Sequence, residues 1–297
     1  MKIIAIVGPT ASDKSKLSLS LAKKFNGEII NTDSLLFYKG LNIGTDKPLK
    51  DKSVKGYLVK GIPHHLVDII SPKKEFNIYD FKKRAEQSVL DVTKRGKAII
   101  LVGGSPLYMD SFIYGYHLSS VSVDKGMRLK LNNMSLPKLT RLLARKYPQY
   151  LDSVDIKNKR RIIRALEILE NGKKINKEDK TLKPDVLLLG IKKDRQVIYN
   201  NIDKRVEAMV KKGLFSEVGK LIKKYGEEAP ALSGIGYRQA IPYLKEEITK
   251  KEAIDKIKIA TRHFAKRQFT WYKKDKNINW IKNLGEAERL IRTFLRT

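Results

Sequence analysis

The chain has 297 residues, 41% of them hydrophobic and 32% charged, which suits one large domain or two modest units and excludes intrinsic disorder. Lys and Arg number 62 against 32 Asp and Glu; this +30 charge calls for an acidic partner, and nucleic acid fits better than a membrane because the cations recur from Lys2 to Arg296. With no Cys, disulfides, thiol nucleophiles and thiolate zinc sites are excluded, and His64, His65, His117 and His263 leave little for a His-based metal centre.

No apolar run approaches the ~18 residues of a membrane span, so no membrane partner and a reducing cytoplasm are expected. Only 16 of the cations are Arg, so codon preference can account for part of the Lys excess, and location must decide which charges matter.

In chain order, Lys2 to Val7 reads as a core strand, followed by the loop GPTASDKS and a helix carrying Leu17, Leu21 and Phe25. A second strand, Glu28 to Asn31, runs into Thr32 and Asp33. Phe81, Ala85, Val89 and Val92 mark a helix, and a third strand, Ala98 to Val102, leads into Gly103 and Gly104. Strands alternating with amphipathic helices predict an α/β fold, a parallel sheet flanked by helices, whose ligands sit beyond the strands' carboxyl ends.

From 113 to 182 the strand signal disappears, and PKLTRLLARKY and RRIIRALEILENGK read as helices. The expected organisation is therefore a core of residues 1–112 and 183–297 interrupted by a helical insertion, 113–182. VLLLGI restores a strand and with it the α/β core, and Ile198, Ile202, Val206 and Met209 form a helical stripe that stops at Gly213. A last long helix is predicted over Glu252 to Tyr272, and INWI near Asn279 as a terminal strand.

Between a strand and a helix, GPTASDKS has the context of a phosphate-binding loop, where backbone amides and a helix N-terminus face an anion. Lys14 would neutralise a terminal phosphate, and the Ser15 hydroxyl would reach a magnesium ion held between phosphate oxygens. The general formula asks for Gly before the Lys, whereas this chain has Asp13, which adds a negative charge. A bare strand-to-helix turn is the alternative.

Asp33, at the end of the second strand, is a candidate general base facing the same crevice, or else a helix cap with Ser34. Ser105, in GGSPLY, could bond a substrate. The adjacent His64 and His65 lack a third ligand and are read as structural or substrate-contacting. Arg160, Arg161 and Arg164 crowd one side of a helix, while Arg262, Lys266 and Lys273, with His263, Arg267 and Lys274 one position on, form a second basic stripe suited to phosphates. Phe269, Trp271 and Tyr272 could stack on bases, or else lie in the core, a role expected of Phe264 and Trp271 before Tyr272.

The ordered set GPTASDKS, DSLLFYKGLNIGTDKP, PHHLVDI, YDF, GGSPLY, RRIIRALEI, GIGYRQ and TRHFAKRQFTWY resembles the tRNA dimethylallyltransferase (tRNA isopentenyltransferase) family of bacterial type, over about Ile3 to Tyr272. The resemblance implies a phosphate-loop kinase-like core with a helical insertion. It also implies transfer of a dimethylallyl group from dimethylallyl diphosphate to the exocyclic amine of the adenosine 3′ of a tRNA anticodon.

It further implies Asp33 and Ser105 as catalytic residues, with Gly8, Thr10, Ala11, Ser12, Asp13, Lys14, Ser15 and Arg195 on the diphosphate and Mg2+ at Ser15. The anticodon stem-loop would meet Asp33, Ser34, Leu35, Leu36, Tyr38, Arg160, Arg161, Arg164, Arg238, Arg262, Lys266, Arg267 and Gln268. A monomer is expected.

The sequence departs from the family pattern at Asp13, at Ser105 and Pro106 in place of Thr and Gly, at Asn201 in place of an Arg, at Lys159 in place of a frequent Asp, and in a shorter insertion. A tRNA-binding paralogue with impaired catalysis therefore stays open, as does a small-molecule or nucleotide kinase suggested by the loop alone.

Overall fold

The computed structural model describes residues 2–52, 56–116, 118–121, 124–175 and 181–296; His117 lies outside them. Seven strands form one sheet: β1 (Ile3–Val7), β2 (Gly27–Asn31), β3 (Leu58–Val59), β4 (Ile62–His65), β5 (Ala98–Val102), β6 (Val186–Ile191) and β7 (Asn279–Ile281), in the order β3-β4-β2-β5-β1-β6-β7. All pairs are parallel except β3 with β4. Every residue of β1 is buried, as the unbroken run IIAIV requires of a strand covered on both faces.

Helices α1 (Lys14–Lys24), α2 (Ile78–Lys94) and α3 (Pro106–Ile113) connect or follow these strands. Phe81, Ala85, Val89 and Val92 of α2 are buried, and a reciprocal capping box of Asn77 and Asp80 starts that helix. The chain divides into two compact units, 1–113 with 182–297, and 114–181.

Within the second unit, α4 (Lys125–Asn132), α5 (Leu136–Lys146) and α6 (Lys159–Glu170) enclose Leu131, Leu139, Leu143, Ile162, Ile163 and Leu166. Glu167 of α6 is buried among them. Arg128 donates to it through Nε at 2.6 Å and Nη2 at 2.7 Å, and Arg164 Nη1 donates at 3.1 Å, which satisfies a charge that would otherwise be costly there.

The larger unit continues with α7 (Arg195–Lys211), α8 (Leu214–Tyr225), α9 (Tyr237–Leu244), α10 (Lys250–Lys273) and α11 (Leu284–Arg296). Beyond Gly213 the chain makes three consecutive α-helices before β7. The long helix starts at Lys250, capped by Thr249 with Glu252, and α11 follows it, placing Ala287 and Ile291 in the sheet's core with Leu21, Ile29 and Ile281.

PHHLVDI has a structural use. His65 Nε2 lies 2.6 Å from Glu28 Oε2, and Arg95 donates to both oxygens of Glu28 at 2.9 and 2.8 Å. Burial works against the Glu28 charge, but the Arg95 and His65 contacts outweigh it and hold the carboxyl below its usual range. Asp68 pairs with the buried Lys47, whose Nζ also donates to Tyr38 O at 2.8 Å, so NIGTDKP and PHHLVDI are tied together.

Candidate active site

Because β1 has β5 on one side and β6 on the other, the sheet's order reverses beside it, and the loop after β1 opens at that crevice. Ala11 (φ 61°) and Asp13 (φ 69°) are left-handed, a conformation that costs non-glycine residues about 1 kcal/mol or more each. Ser12 is buried, and its Oγ has no hydrogen-bond partner among the described residues.

Asp13 is the N-cap of α1 but caps nothing with its side chain; its carboxylate forms an ion pair with Lys193, in the loop after β6. Lys14, at the first position of α1, donates from Nζ to Pro9 O at 2.6 Å. Burial lowers its pKa to about 8, Asp33 opposing that shift and Arg205 reinforcing it.

Three side chains from two helices fasten this loop. Asn201 of α7 donates from Nδ2 to Ala11 O at 3.1 Å. Arg205, one turn on, donates through Nη1 to Thr10 Oγ1 at 3.1 Å and through Nη2 to Thr45 O at 2.9 Å. Gln268 of α10 accepts from Thr10 N at 2.8 Å and donates from Nε2 to Gly104 O, joining the first loop to the third. Any Cβ at position 104 would lie 2.5 Å from that nitrogen, so the paired glycines admit the Gln268 amide.

At the end of β2, Asn31 fixes the turn that carries Asp33: its Oδ1 accepts from Asp33 N at 2.9 Å and its Nδ2 donates to Asp33 O at 3.0 Å. Asp33 Oδ1 then accepts from Leu35 N at 3.1 Å; no helix follows, so the helix-cap alternative does not hold. Ser105 Oγ accepts from Ser34 N at 3.3 Å.

Thr10 to Ser15, Asp33, Leu36, Gly103, Gly104, Asn201, Lys204, Arg205 and Gln268 are among the residues lining one cleft of about 580 Å³. A carboxylate therefore shares a cavity with the loop's amides and with Lys14, Lys204 and Arg205.

Other expected site residues fall elsewhere. Arg195 begins α7 as an exposed residue and is not among those lining the cleft; Arg205 takes that place, on the helix face it shares with Asn201. Gln268 is buried, and Tyr38 nearly so, its ring covered by the core, while Leu35 packs against Gly234. Arg164 turns inward to Glu167 and to the carbonyls of Ser119 and Val121, and Arg262 pairs with Asp203.

Tyr272 is 1% exposed and so cannot stack on a base; Trp271 donates from Nε1 to Asp110 Oδ2 at 2.8 Å. Arg160 and Arg161 are exposed on α6, Arg238 on α9, and Lys266 and Arg267 on α10. Sequence reasoning missed Lys204 and Glu217. The signal for Lys204 was its position opposite the buried stripe of α7, three residues after Asn201, while Asn201 and Arg205 flank that stripe.

The molecule is thus a mostly parallel α/β protein whose β1–α1 loop shares one cleft with a rim carboxylate. The chain belongs to the IPP transferase family, whose model matches residues 36–275. It is 40% identical to a tRNA dimethylallyltransferase of Thermoanaerobacter sp. (strain X514), over 99% of this chain and 98% of that one.

Its fold is similar to the crystal structure of the full-length tRNA isopentenylpyrophosphate transferase from Bacillus halodurans, with TM-score 0.75 and 33% identity over 99% and 97% of the two chains. It is also similar to a eukaryotic dimethylallyltransferase acting on tRNA, with TM-score 0.80 and 28% identity over 98% of this chain and 78% of that one.

Proposed function

We propose that this enzyme transfers a dimethylallyl group from dimethylallyl diphosphate to the exocyclic amine of the adenosine 3′ of a tRNA anticodon. The observation that carries the reading is the single cleft shared by Asp33 and the Lys14–Arg205 side of the phosphate loop. In it the loop holds a leaving group, where a kinase's loop would hold ATP, and family membership disfavours the kinase alternative.

An adenine amine is a weak nucleophile because its lone pair is delocalised into the ring. Asp33 takes its proton as the nitrogen attacks the allylic carbon; the C–N bond forms, the C–O bond breaks, and the electron pair leaves with diphosphate. The growing charge is met by the amides of Thr10 to Ser15 and by Lys14 and Arg205, fixed before the reaction starts. Ser105 acts through Ser34, steadying the turn after Asp33.

The Ser15 hydroxyl, exposed in the first turn of α1, fits a magnesium ion held mainly by diphosphate oxygens and water, and the bound ion would neutralise part of the leaving group's charge. Among the described residues no group of three or more His, Asp or Glu could hold a metal by itself, which suits that division of ligands. Exposed Arg160 and Arg161 in the helical unit, and Arg238, Lys266 and Arg267 in the core unit, supply the RNA's phosphate contacts, and the adenosine leaves its stack to reach the cleft. Among the described residues no helix is long and apolar enough to cross a membrane; a cytoplasmic location is the one this substrate calls for.

Incubation with unmodified tRNA, magnesium and labelled donor, followed by digestion and mass analysis, tests the reading. A prenylated adenosine beside the anticodon is the expected product. Tight tRNA binding without product would instead identify an impaired paralogue.

A further inference from the structure

Glu217, on α8, accepts four hydrogen bonds. Its Oε2 takes Asn42 N at 3.0 Å and Ile43 N at 2.8 Å, and its Oε1 takes Gly44 N at 3.0 Å and Tyr237 Oη at 2.7 Å. The Tyr237 ring is fully buried and lies so close that a Cβ on residue 44 would be 2.6 Å from it, so the turn is gripped between a carboxylate and an aromatic face.

The next residue carries the grip to the cleft. Thr45 O accepts from Arg205 Nη2, the Asp46 carboxylate lies 3.5 Å from Arg205 Nε, and Arg205 Nη1 reaches Thr10 Oγ1. A guanidinium is planar, so fixing two of its nitrogens fixes the direction of the rest.

We infer that Glu217, with Tyr237, is a positioning residue that aims Arg205 at the donor's diphosphate through the turn 42–46. The inference rests on reading the cleft as the donor site. Neither residue is among those lining the cleft, and each acts through Arg205. The carboxylate is specifically required, because an amide in its place would turn N–H donors toward backbone N–H groups.

The test compares inorganic diphosphate binding by calorimetry, donor KM, kcat and tRNA Kd in Glu217→Gln, Tyr237→Phe and Arg205→Ala, alone and combined. Glu217→Gln should raise the diphosphate Kd and donor KM by ~10-fold while changing kcat by less than ~3-fold and leaving tRNA Kd unchanged, and Tyr237→Phe should act in the same direction by ~2–3-fold. In the Arg205→Ala background both substitutions should add nothing.

A folded Glu217→Gln protein that binds diphosphate as the parent does, or losses that multiply with Arg205→Ala, would overturn the inference. If Glu217→Gln does not fold, Tyr237→Phe and its cycle with Arg205→Ala decide in the same way. A parent that binds diphosphate but never prenylates RNA would sink the proposed function alone, because the calorimetric comparison does not depend on turnover.

Discussion

Asp13 occupies the glycine position of the phosphate-loop formula, and Lys193 neutralises its carboxylate from the loop after β6. The extra charge beside the proposed diphosphate site is thereby compensated from a neighbouring strand's end. Lys193→Ala should raise donor KM several-fold and change unfolding free energy by less than about 1 kcal/mol, as for other exposed pairs. The double variant Asp13→Gly/Lys193→Ala should return donor KM to the parent value; a KM that stays high would show that Lys193 acts on the donor directly.

Asp33→Asn keeps the shape of the turn, since its side-chain oxygen still accepts from Leu35 N. It removes the base. Prenyl transfer should fall by ~10²-fold or more with tRNA Kd unchanged. Loss of RNA binding with turnover preserved would reassign Asp33 to recognition.

Lys14 titrates near pH 8 because burial disfavours its ammonium. The sign is fixed by which form binds diphosphate: below pH 8 the residue is charged and the donor is held, and above it the charge is lost. Donor kcat/KM should therefore decline as pH rises through about 8, and Lys14→Arg, charged throughout, should remove that limb. An unchanged basic limb in Lys14→Arg would place the titration elsewhere.

Gln268→Ala should act on stability as well as turnover. It strips Thr10 N and Gly104 O of their shared partner, which costs roughly 1–3 kcal/mol if water does not replace it, so thermal unfolding should shift down together with kcat/KM. Gln268→Glu, which can still accept from Thr10 N but cannot donate to Gly104 O, should fall between the two.

Arg160 and Arg161 should separate from Arg164 in a salt titration. Replacing exposed Arg160 and Arg161 by Ala should weaken tRNA binding and reduce the slope of log K against log salt by about 0.7–0.9 for each RNA phosphate that is no longer neutralised. Arg164→Ala should instead lower the melting temperature, because Glu167 keeps a buried charge with one counter-ion fewer.

The sheet's central strands and the helices α1, α2, α7 and α10 were legible in the sequence because each carries an unbroken apolar run or a clear helical stripe. α9 is short and contains Pro242 and β3 has two residues, so neither rises above its surroundings, whereas α11 carries a clear helical stripe in Ala287, Leu290, Ile291 and Phe294 that sequence reasoning passed over. The loops of the cleft were legible for a topological reason: loops at the carboxyl ends of parallel strands must share one rim.

The inward turns of Gln268, Arg164 and Tyr272, and the place of Arg195 outside the cleft, were not legible. They depend on how α6, α7 and α10 rotate against their neighbours, which spacing along one helix does not specify. Asp13 illustrates the same limit, since its partner Lys193 lies 180 residues away in the chain.

The position of β1 also bears on how the protein is made. It is made before β6, yet one of its edges pairs with that strand, Ile3 opposite Val186, on the far side of the whole helical unit in sequence. On the ribosome the apolar edge of IIAIV has no mate until that later segment emerges, whereas the helices of residues 114–181 find all their packing partners nearby in the chain. The nascent core is thus an unfinished sheet with a sticky margin until β6 has emerged, and that interval is one in which edge-to-edge aggregation competes with folding.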